Sequence, residues 1–154
     1  MLSFMASWKE VEEQAPELAA RARRLLDAHT HKTIATLRAD GSPRISGIET
    51  EFADGELTFG SMPGARKGAD LRRDPRFALH SASEDPPEGG KGWAGDAKVA
   101  GRAVLVGPLS GSAEGDAFRA ELTEVVVTGL NEEATLLVVE WWREGRGVRR
   151  VERA

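Results

Sequence analysis

The amino-acid sequence predicts a mainly β fold in which six to seven antiparallel strands form a closed or half-closed barrel. Asp40-Gly41 and Asp54-Gly55 are dipeptides of the kind that join neighbouring hairpin strands through tight turns. The segments beside these turns are rich in β-branched residues, and no connection of helix length separates the first three of them. Turn signals recur along the rest of the chain, as is typical of barrels and sandwiches.

Length and composition favour a single globular domain over residues 1–154, since a chain of this size can bury one substantial core. The net charge of −4 argues against a broad nucleic-acid-binding face. Cysteine and tyrosine are absent, which excludes disulfides, thiolate chemistry and a phenolic acid. The sequence shows no export-signal pattern and no apolar run of about 20 residues. We therefore expect a cytoplasmic protein without a membrane span.

The domain is expected to consist of an N-terminal helical segment, residues 1–30, and a barrel, residues 32–153. An apolar stripe with steps of four and three predicts the helix. Pro16 lies inside the stripe and is expected to start or restart the main helix, because proline is tolerated in a first turn. The stripe consists of Val11, Ala15, Leu18, Ala22 and Leu25.

The barrel segment contains seven predicted strands, one long loop and two predicted helices. The predicted strands are Thr33–Arg38, Pro43–Phe52, Glu56–Gly60, Arg76–Ala82, Asp96–Val106, Thr135–Arg143 and Val148–Glu152. One helix is the short basic segment described next, and Ala113–Leu122 is predicted to form the other. The longest loop is Ser83–Gly95, which holds two prolines and four glycines.

The segment Gly60–Leu79 carries the strongest functional signal, because it combines a strand end, a turn, a short basic helix and an Asp-Pro stop. Free N–H groups at a helix start, the helix dipole and nearby cations together favour an anion. The segment therefore predicts a phosphorylated cofactor or ligand. The alternative is a solvated helix face on which Arg66 pairs with Asp70. The cations within eleven positions are Arg66, Lys67, Arg72, Arg73 and Arg76.

These motifs resemble those of the pyridoxamine 5′-phosphate oxidase-like flavin-binding split-barrel superfamily, which includes reductases that use the deazaflavin coenzyme F420. The stretches DGSPRISG and ARKGADLRRDPR carry the resemblance, together with the aromatic strand near the C-terminus. It covers roughly Lys32 to Arg153. The resemblance implies a split barrel, a homodimer, and cofactors bound in clefts between the two subunits.

The resemblance also implies which residues hold the cofactor. Arg44 and the pair Arg66-Lys67 match positions that bind the flavin phosphate, where arginine grips bidentately and lysine acts as a point charge. By strand period alone, Arg44 is equally well a surface residue. The residues that the resemblance places along the ring are Ile45, Ser46, Ser61 and Met62, with Trp142 bordering the cofactor or the dimer interface.

Two departures from the family pattern concern the substrate. Glu49 stands where the oxidases carry a lysine that holds the substrate phosphate, and Glu152 stands where an Arg-x-His pattern has histidine. The predicted function is therefore a flavin- or F420-dependent oxidoreductase for a small organic substrate, not a pyridoxamine phosphate oxidase. The alternative is a non-catalytic protein that binds flavin, haem or a tetrapyrrole.

No side chain is predicted to act as a catalytic acid or base, because a flavin or deazaflavin carries the chemistry itself. His29 and His31 lack nearby ligand partners in the sequence, so no metal site is expected. Trp93, in the longest loop, is expected either to form a lid over the ring or to pin the loop down. FMN and F420 both stay candidates.

Overall fold

The computed structural model describes residues 5–109 and 115–154, which form eight antiparallel strands and three helices. The helices are α1 Trp8–Gln14, α2 Pro16–Asp27 and α3 Arg66–Arg73. The strands are β1 His31–Leu37, β2 Pro43–Ala53, β3 Glu56–Ser61, β4 Arg76–His80, β5 Asp96–Pro108, β6 Asp116–Leu130, β7 Leu137–Arg143 and β8 Gly147–Arg153.

The strands make one sheet with the order β3-β2-β1-β4-β5-β6-β7-β8, and pairing of β3 with β6 closes the first six into a barrel. Strands β7 and β8 extend the sheet beyond the closed part. The prediction of a mainly antiparallel split barrel is thus confirmed.

The N-terminal helices follow the predicted pattern closely. Ser7 and Glu10 form a capping box at the start of α1, with both reciprocal hydrogen bonds 3.2 Å long. Pro16 is the first residue of α2, where its missing N–H costs nothing. Leu18 and Leu26 lie on the buried face of α2, which packs against β5 and β6.

The predicted helix over Ala113–Leu122 is wrong for the part that the structure describes. Its first two residues lie outside the described ranges, Gly115 is a bend, and the residues from Asp116 onward belong to β6. Phe118, Ala120 and Leu122 are buried while the residues between them are more exposed, which is the period of two expected for a strand. The rest of β6, through Leu130, was not predicted as a strand at all.

Two aromatic clusters fill the interior. Phe59 lies between Phe77 and Phe118 inside the barrel, with ring centroids 5.3 and 6.0 Å apart. Between the barrel and the N-terminal helices, the rings of Trp8 and Phe52 lie 4.7 Å apart. Offset aromatic pairs at these distances stabilise a core beyond the area they bury. Among the described residues, no helix is long and apolar enough to cross a membrane.

Candidate functional site

The buried carboxylate of Asp70 attaches helix α3 to the barrel. It accepts hydrogen bonds from the Thr36 hydroxyl at 2.7 Å, from Arg44 Nε at 2.7 Å and from Arg73 Nη2 at 3.0 Å. Thr36 and Arg44 face each other across the β1–β2 pairing, so both strands contribute to the contact. The Asp70 side chain is only 3% exposed.

The Asp70 charge is stabilised by these partners against the effect of burial. Burial alone would raise the pKa of the carboxyl, but the hydrogen bonds from Arg44, Thr36 and Arg73 outweigh it and lower the pKa to about 2. Asp70 is therefore ionised at neutral pH, and helix α3 is attached through a charged network.

The opposite side of α3 packs on β3 and β6. A Cβ atom on Gly68 would lie 2.3 Å from the Ser61 hydroxyl, so only glycine allows this close approach. Arg72 makes a bidentate contact with Asp116 at the start of β6, in which its Nε donates to Oδ2 at 2.8 Å. The hydrogen bonds from Arg72 lower the pKa of Asp116. Contacts on both sides thus hold α3 in one orientation.

A groove of about 860 Å³ lies beside the start of α3, between residues of β2, β3 and β6. We call it the β2–β3 groove. Its lining residues are His31, Gly47, Ile48, Glu49, Thr50, Glu51, Thr58, Phe59, Gly60, Met62, Lys67, Val106, Leu109, Ala117 and Phe118.

The groove lies where strands β2 and β3 separate. Pairing of β2 with β3 begins at Thr50, opposite Phe59, and continues to Ala53. Before Thr50, β2 pairs with β1 alone, and β3 turns away to pair with β6 through Phe59–Ser61. The edge of β2 before Thr50 therefore presents backbone groups toward the groove, as Gly47 does through its carbonyl.

Two cations lie at the start of α3, and one of them, Lys67, lines the groove. Lys67 Nζ donates to the Gly47 carbonyl at 3.0 Å. Arg66 is exposed and has no ion-pair partner among the described residues. The N-cap residue, Ala65, provides no side-chain hydrogen bond to the first turn. An uncapped helix start with two cations is suited to an anion.

One further predicted site residue lines the groove, and another lies on a strand face that borders it. Met62 lines it together with Lys67. Ile45 shares the outer face of β2 with Gly47, because it lies two residues away, and its side chain is 74% exposed. The structure thus places Lys67 and Met62 in the groove lining, Ile45 on the same strand face as Gly47, and Arg66 exposed at the start of α3.

Three predicted residues lie on other faces. Arg44 is on the opposite face of β2 from Ile45, and its Nε is bound to Asp70. Ser46 shares that inner face. Ser61 is buried and packs beneath Gly68, so its hydroxyl supports the helix instead of opening into the groove.

Trp142 lies in the core and does not line the groove. Its side chain is fully buried, and its indole nitrogen donates to the Gln14 side chain of α1 at 3.0 Å. Its neighbour Trp141 points to the other face of β7 and is half-buried, with the Arg143 guanidinium 5.8 Å from the ring centroid.

The role of Asp70 in attaching α3 to the barrel was not predicted from the sequence, where Asp70 was expected only as an ion-pair partner of Arg66. In the structure Asp70 pairs with Arg44 and Arg73. One feature of the sequence could have indicated this role: Asp70 is an acidic residue next to the apolar Leu71 in an otherwise basic helix.

The histidines lie apart. His29 contacts Glu84 in the long loop, and His31 Nε2 lies 3.3 Å from Glu49 Oε1 beside the groove. Within the described ranges, no three potential metal-binding side chains come together. Trp93 does not line the groove, and its indole nitrogen donates to the Glu84 carbonyl at 2.9 Å.

Comparison with known proteins identifies the family. The profile of the pyridoxamine 5′-phosphate oxidase family matches residues 18–144, which is most of the chain. The chain therefore belongs to this family. No curated protein matches it.

Several solved structures share the fold. PhzG from Burkholderia lata, in complex with tetrahydrophenazine-1-carboxylic acid, has a TM-score of 0.64 at 12% identity, covering 93% of this chain and 91% of its own. A pyridoxamine 5′-phosphate oxidase-related FMN binding protein from Nostoc punctiforme has a TM-score of 0.62 at 10% identity, covering 94% and 96%. An F420 reductase has a TM-score of 0.51 at 19% identity, covering 66% and 92%. At these identities the likeness shows the fold alone.

The Asp70 network generates a prediction about acid stability. We expect Asp70→Asn to lower the free energy of unfolding at pH 7 by about 2 kcal/mol, because the Arg44 charge loses its partner. The folded-state pKa of about 2 lies below the unfolded value of about 3.9. The stabilisation is therefore complete above pH 4 and disappears as the pH falls toward 2. Urea denaturation of both proteins across this range measures the effect.

The stabilities of the two proteins should converge as the pH approaches 2. Asp85→Asn, in the exposed long loop, is the matched control and should follow the native protein at every pH. A constant difference between native and Asp70→Asn proteins from pH 7 to pH 2 would contradict a charged Asp70 network.

Proposed function

We propose that this protein binds FMN or coenzyme F420 in the β2–β3 groove and acts as an oxidoreductase on a small organic substrate. The observation that carries the proposal is the uncapped start of α3, where Lys67 lines the groove and the neighbouring Arg66 is exposed. An anionic cofactor tail would be held there by two cations and the helix dipole. Membership of the family and likeness to an FMN binding protein and an F420 reductase support this choice.

The groove also suits a flat polar ring. Gly47 has no side chain, and a Cβ atom there would meet nothing within 4 Å, so the strand face beside it is open. The unpaired edge of β2 can offer backbone hydrogen bonds to the ring, while Phe59 and Val106 provide apolar contacts and exclude water. When bound, such a ring supplies hydride-transfer chemistry, and the chain supplies orientation.

In this proposal Arg44 does not contact the cofactor phosphate, although the family pattern implies that it would. Its Nε is bound to Asp70, and it faces away from Ile45. In our proposal Arg44 holds α3 in place, and the phosphate contact is made by Arg66 and Lys67. Glu49 lies on the groove face and would repel a substrate phosphate, which favours a substrate other than a pyridoxamine phosphate.

We further propose that a second copy of the chain covers the groove. Exposed apolar surface favours association, and four large apolar side chains are exposed on β2, β5 and the turn before α3, two of which, Met62 and Val106, line the groove. They are Ile45 at 74%, Met62 at 67%, Val106 at 63% and Leu105 at 45% exposure.

Binding of the cofactor is tested with Lys67→Glu. The variant should bind FMN or F420 more weakly by about 2 kcal/mol or more, roughly thirtyfold, because a charge-assisted contact is lost and reversed. Titration of the apo protein with each cofactor, followed by fluorescence quenching, measures the affinities and identifies the preferred one. Lys98→Glu on β5, which makes the same charge change outside the groove lining, is the control.

The thermal unfolding of the apo Lys67→Glu protein should stay close to that of the native chain. If the apo variant instead unfolded at a much lower temperature while its cofactor affinity survived, Lys67 would be structural. Binding of neither FMN nor F420 by the native protein would refute the cofactor proposal.

Association is tested with Ile45→Arg. A charge in this exposed apolar surface should convert a dimer to a monomer in sedimentation equilibrium, since an unpaired guanidinium would have to be buried. Ala78→Arg, on the exposed face of β4, is the control and should leave the dimer intact. A monomeric native protein at micromolar concentration would contradict the proposed covering of the groove.

Turnover is tested by reducing the preferred cofactor in the protein and adding quinones, enones or biliverdin. We expect at least one acceptor class to accelerate reoxidation, followed by absorbance. No acceleration across the panel, with the cofactor bound, would support a non-catalytic binding protein instead.

A further inference from the structure

A second cavity, of about 460 Å³, lies between helix α2, the ends of β6 and β7, and the long loop. We call it the α2 cavity. Leu25, Val127, Leu130 and Val138 provide its apolar surface, and Trp93 adds an aromatic wall. It shares no lining residue with the β2–β3 groove.

The long loop forms an ordered wall of this cavity. Gly95 has a φ of +88°, and a Cβ atom there would lie 2.2 Å from the Thr128 carbonyl. Gly90 has a φ of +81°, and its Cβ would lie 2.9 Å from Leu130 Cδ1. These glycines permit both the backbone conformation and the close approach to β6. Together with the hydrogen bond from Trp93 to Glu84, they hold the indole at the cavity.

Three arginines line the α2 cavity, and two of them have carboxylate partners. Arg21 Nη2 lies 2.8 Å from Glu140 Oε2, while Arg150 Nη2 pairs with Glu152 Oε1 at 2.6 Å and its Nε lies 4.0 Å from Glu140 Oε1. Arg24 also lines the cavity and has no ion-pair partner among the described residues.

The neighbouring arginine on the same helix behaves differently. Arg23 lies 3.5 Å from Glu12 and 3.7 Å from Asp27, and its guanidinium stacks 5.0 Å from the Phe52 ring centroid. Arg23 is thus accounted for by local contacts. The Arg24 guanidinium, by contrast, is a free donor group beside an apolar surface.

We propose that the α2 cavity binds a small arenecarboxylate. The carboxylate would be held by Arg24, with Arg21 beside it, because a guanidinium matches a carboxylate bidentately. The flat apolar body would pack against Trp93, Leu25 and Leu130. A dianion is disfavoured by Glu132 and Glu140, which also line the cavity.

The proposal is tested with 2-naphthoate and its neutral analogue 2-naphthalenemethanol, titrated into the full chain at pH 7. We expect saturable 1:1 binding of naphthoate by calorimetry, with quenching of tryptophan fluorescence. The neutral analogue should bind about tenfold more weakly or worse, because it loses the charge-assisted contact with the guanidinium. Arg24→Gln should weaken naphthoate binding by a similar factor without affecting the analogue. Arg23→Gln is the matched control and should leave both affinities unchanged.

The location is tested separately. Trp93→Phe should reduce the quenching while calorimetry still detects binding. Saturating FMN should not displace naphthoate, whether or not the groove binds a flavin. The proposal is overturned by no saturable binding, by equal binding of acid and alcohol, by insensitivity to Arg24→Gln, or by displacement with FMN.

Discussion

The buried contact of Asp70 with Arg44, Thr36 and Arg73 is the constraint on which the rest of the site depends. A carboxylate removed from water must be paired, so the helix cannot detach from β1 and β2 without exposing or orphaning a charge. Because α3 is a short rigid helix, holding it at Asp70 also sets the position of its first turn. The cations at the groove are therefore placed by a residue that does not touch it.

The groove itself is a consequence of how the barrel closes. Strand β3 has two partners, pairing with β2 at one end and with β6 at the other. The part of β2 before Thr50 is left with one partner, and an unpaired strand edge invites association with another molecule. In the proposed complex, a flat cofactor and a second copy of the chain would satisfy this edge. The exposed side chains of Ile45 and Met62 are consistent with such a cover.

The arginines of this chain have structural contacts that differ from the phosphate-binding roles implied by the family pattern. Arg44 occupies the position that resembles a phosphate ligand, yet its Nε is used inside the protein. Arg72 likewise binds Asp116. Lys67, at the start of α3, lines the groove, and Arg66 beside it is exposed. Arg24, far along the chain from these residues, lines a separate cavity. The two proposals therefore assign two different anions, a cofactor phosphate and a carboxylate, to two separate sites of one domain.

The sequence by itself determined the elements that local chemistry controls. The turns at Asp40-Gly41 and Asp54-Gly55, the helix start at Pro16 and the Asp-Pro end of α3 were all predicted from neighbouring residues, and the structure contains each of them. Backbone preferences act over a few residues, so a short stretch of sequence is enough to predict turns and helix ends.

Tertiary structure alone decided what depends on distant partners. Strand β6 was missed because its pairing with β3, β5 and β7 outweighs the weak helical preference of its first half. For the same reason, the sequence could not decide which way Arg44 faces, whether Trp142 is buried, or which residues pair with Asp70. Strand period separates two faces without saying which is inside. That choice is made by burial and charge pairing between residues far apart in the chain.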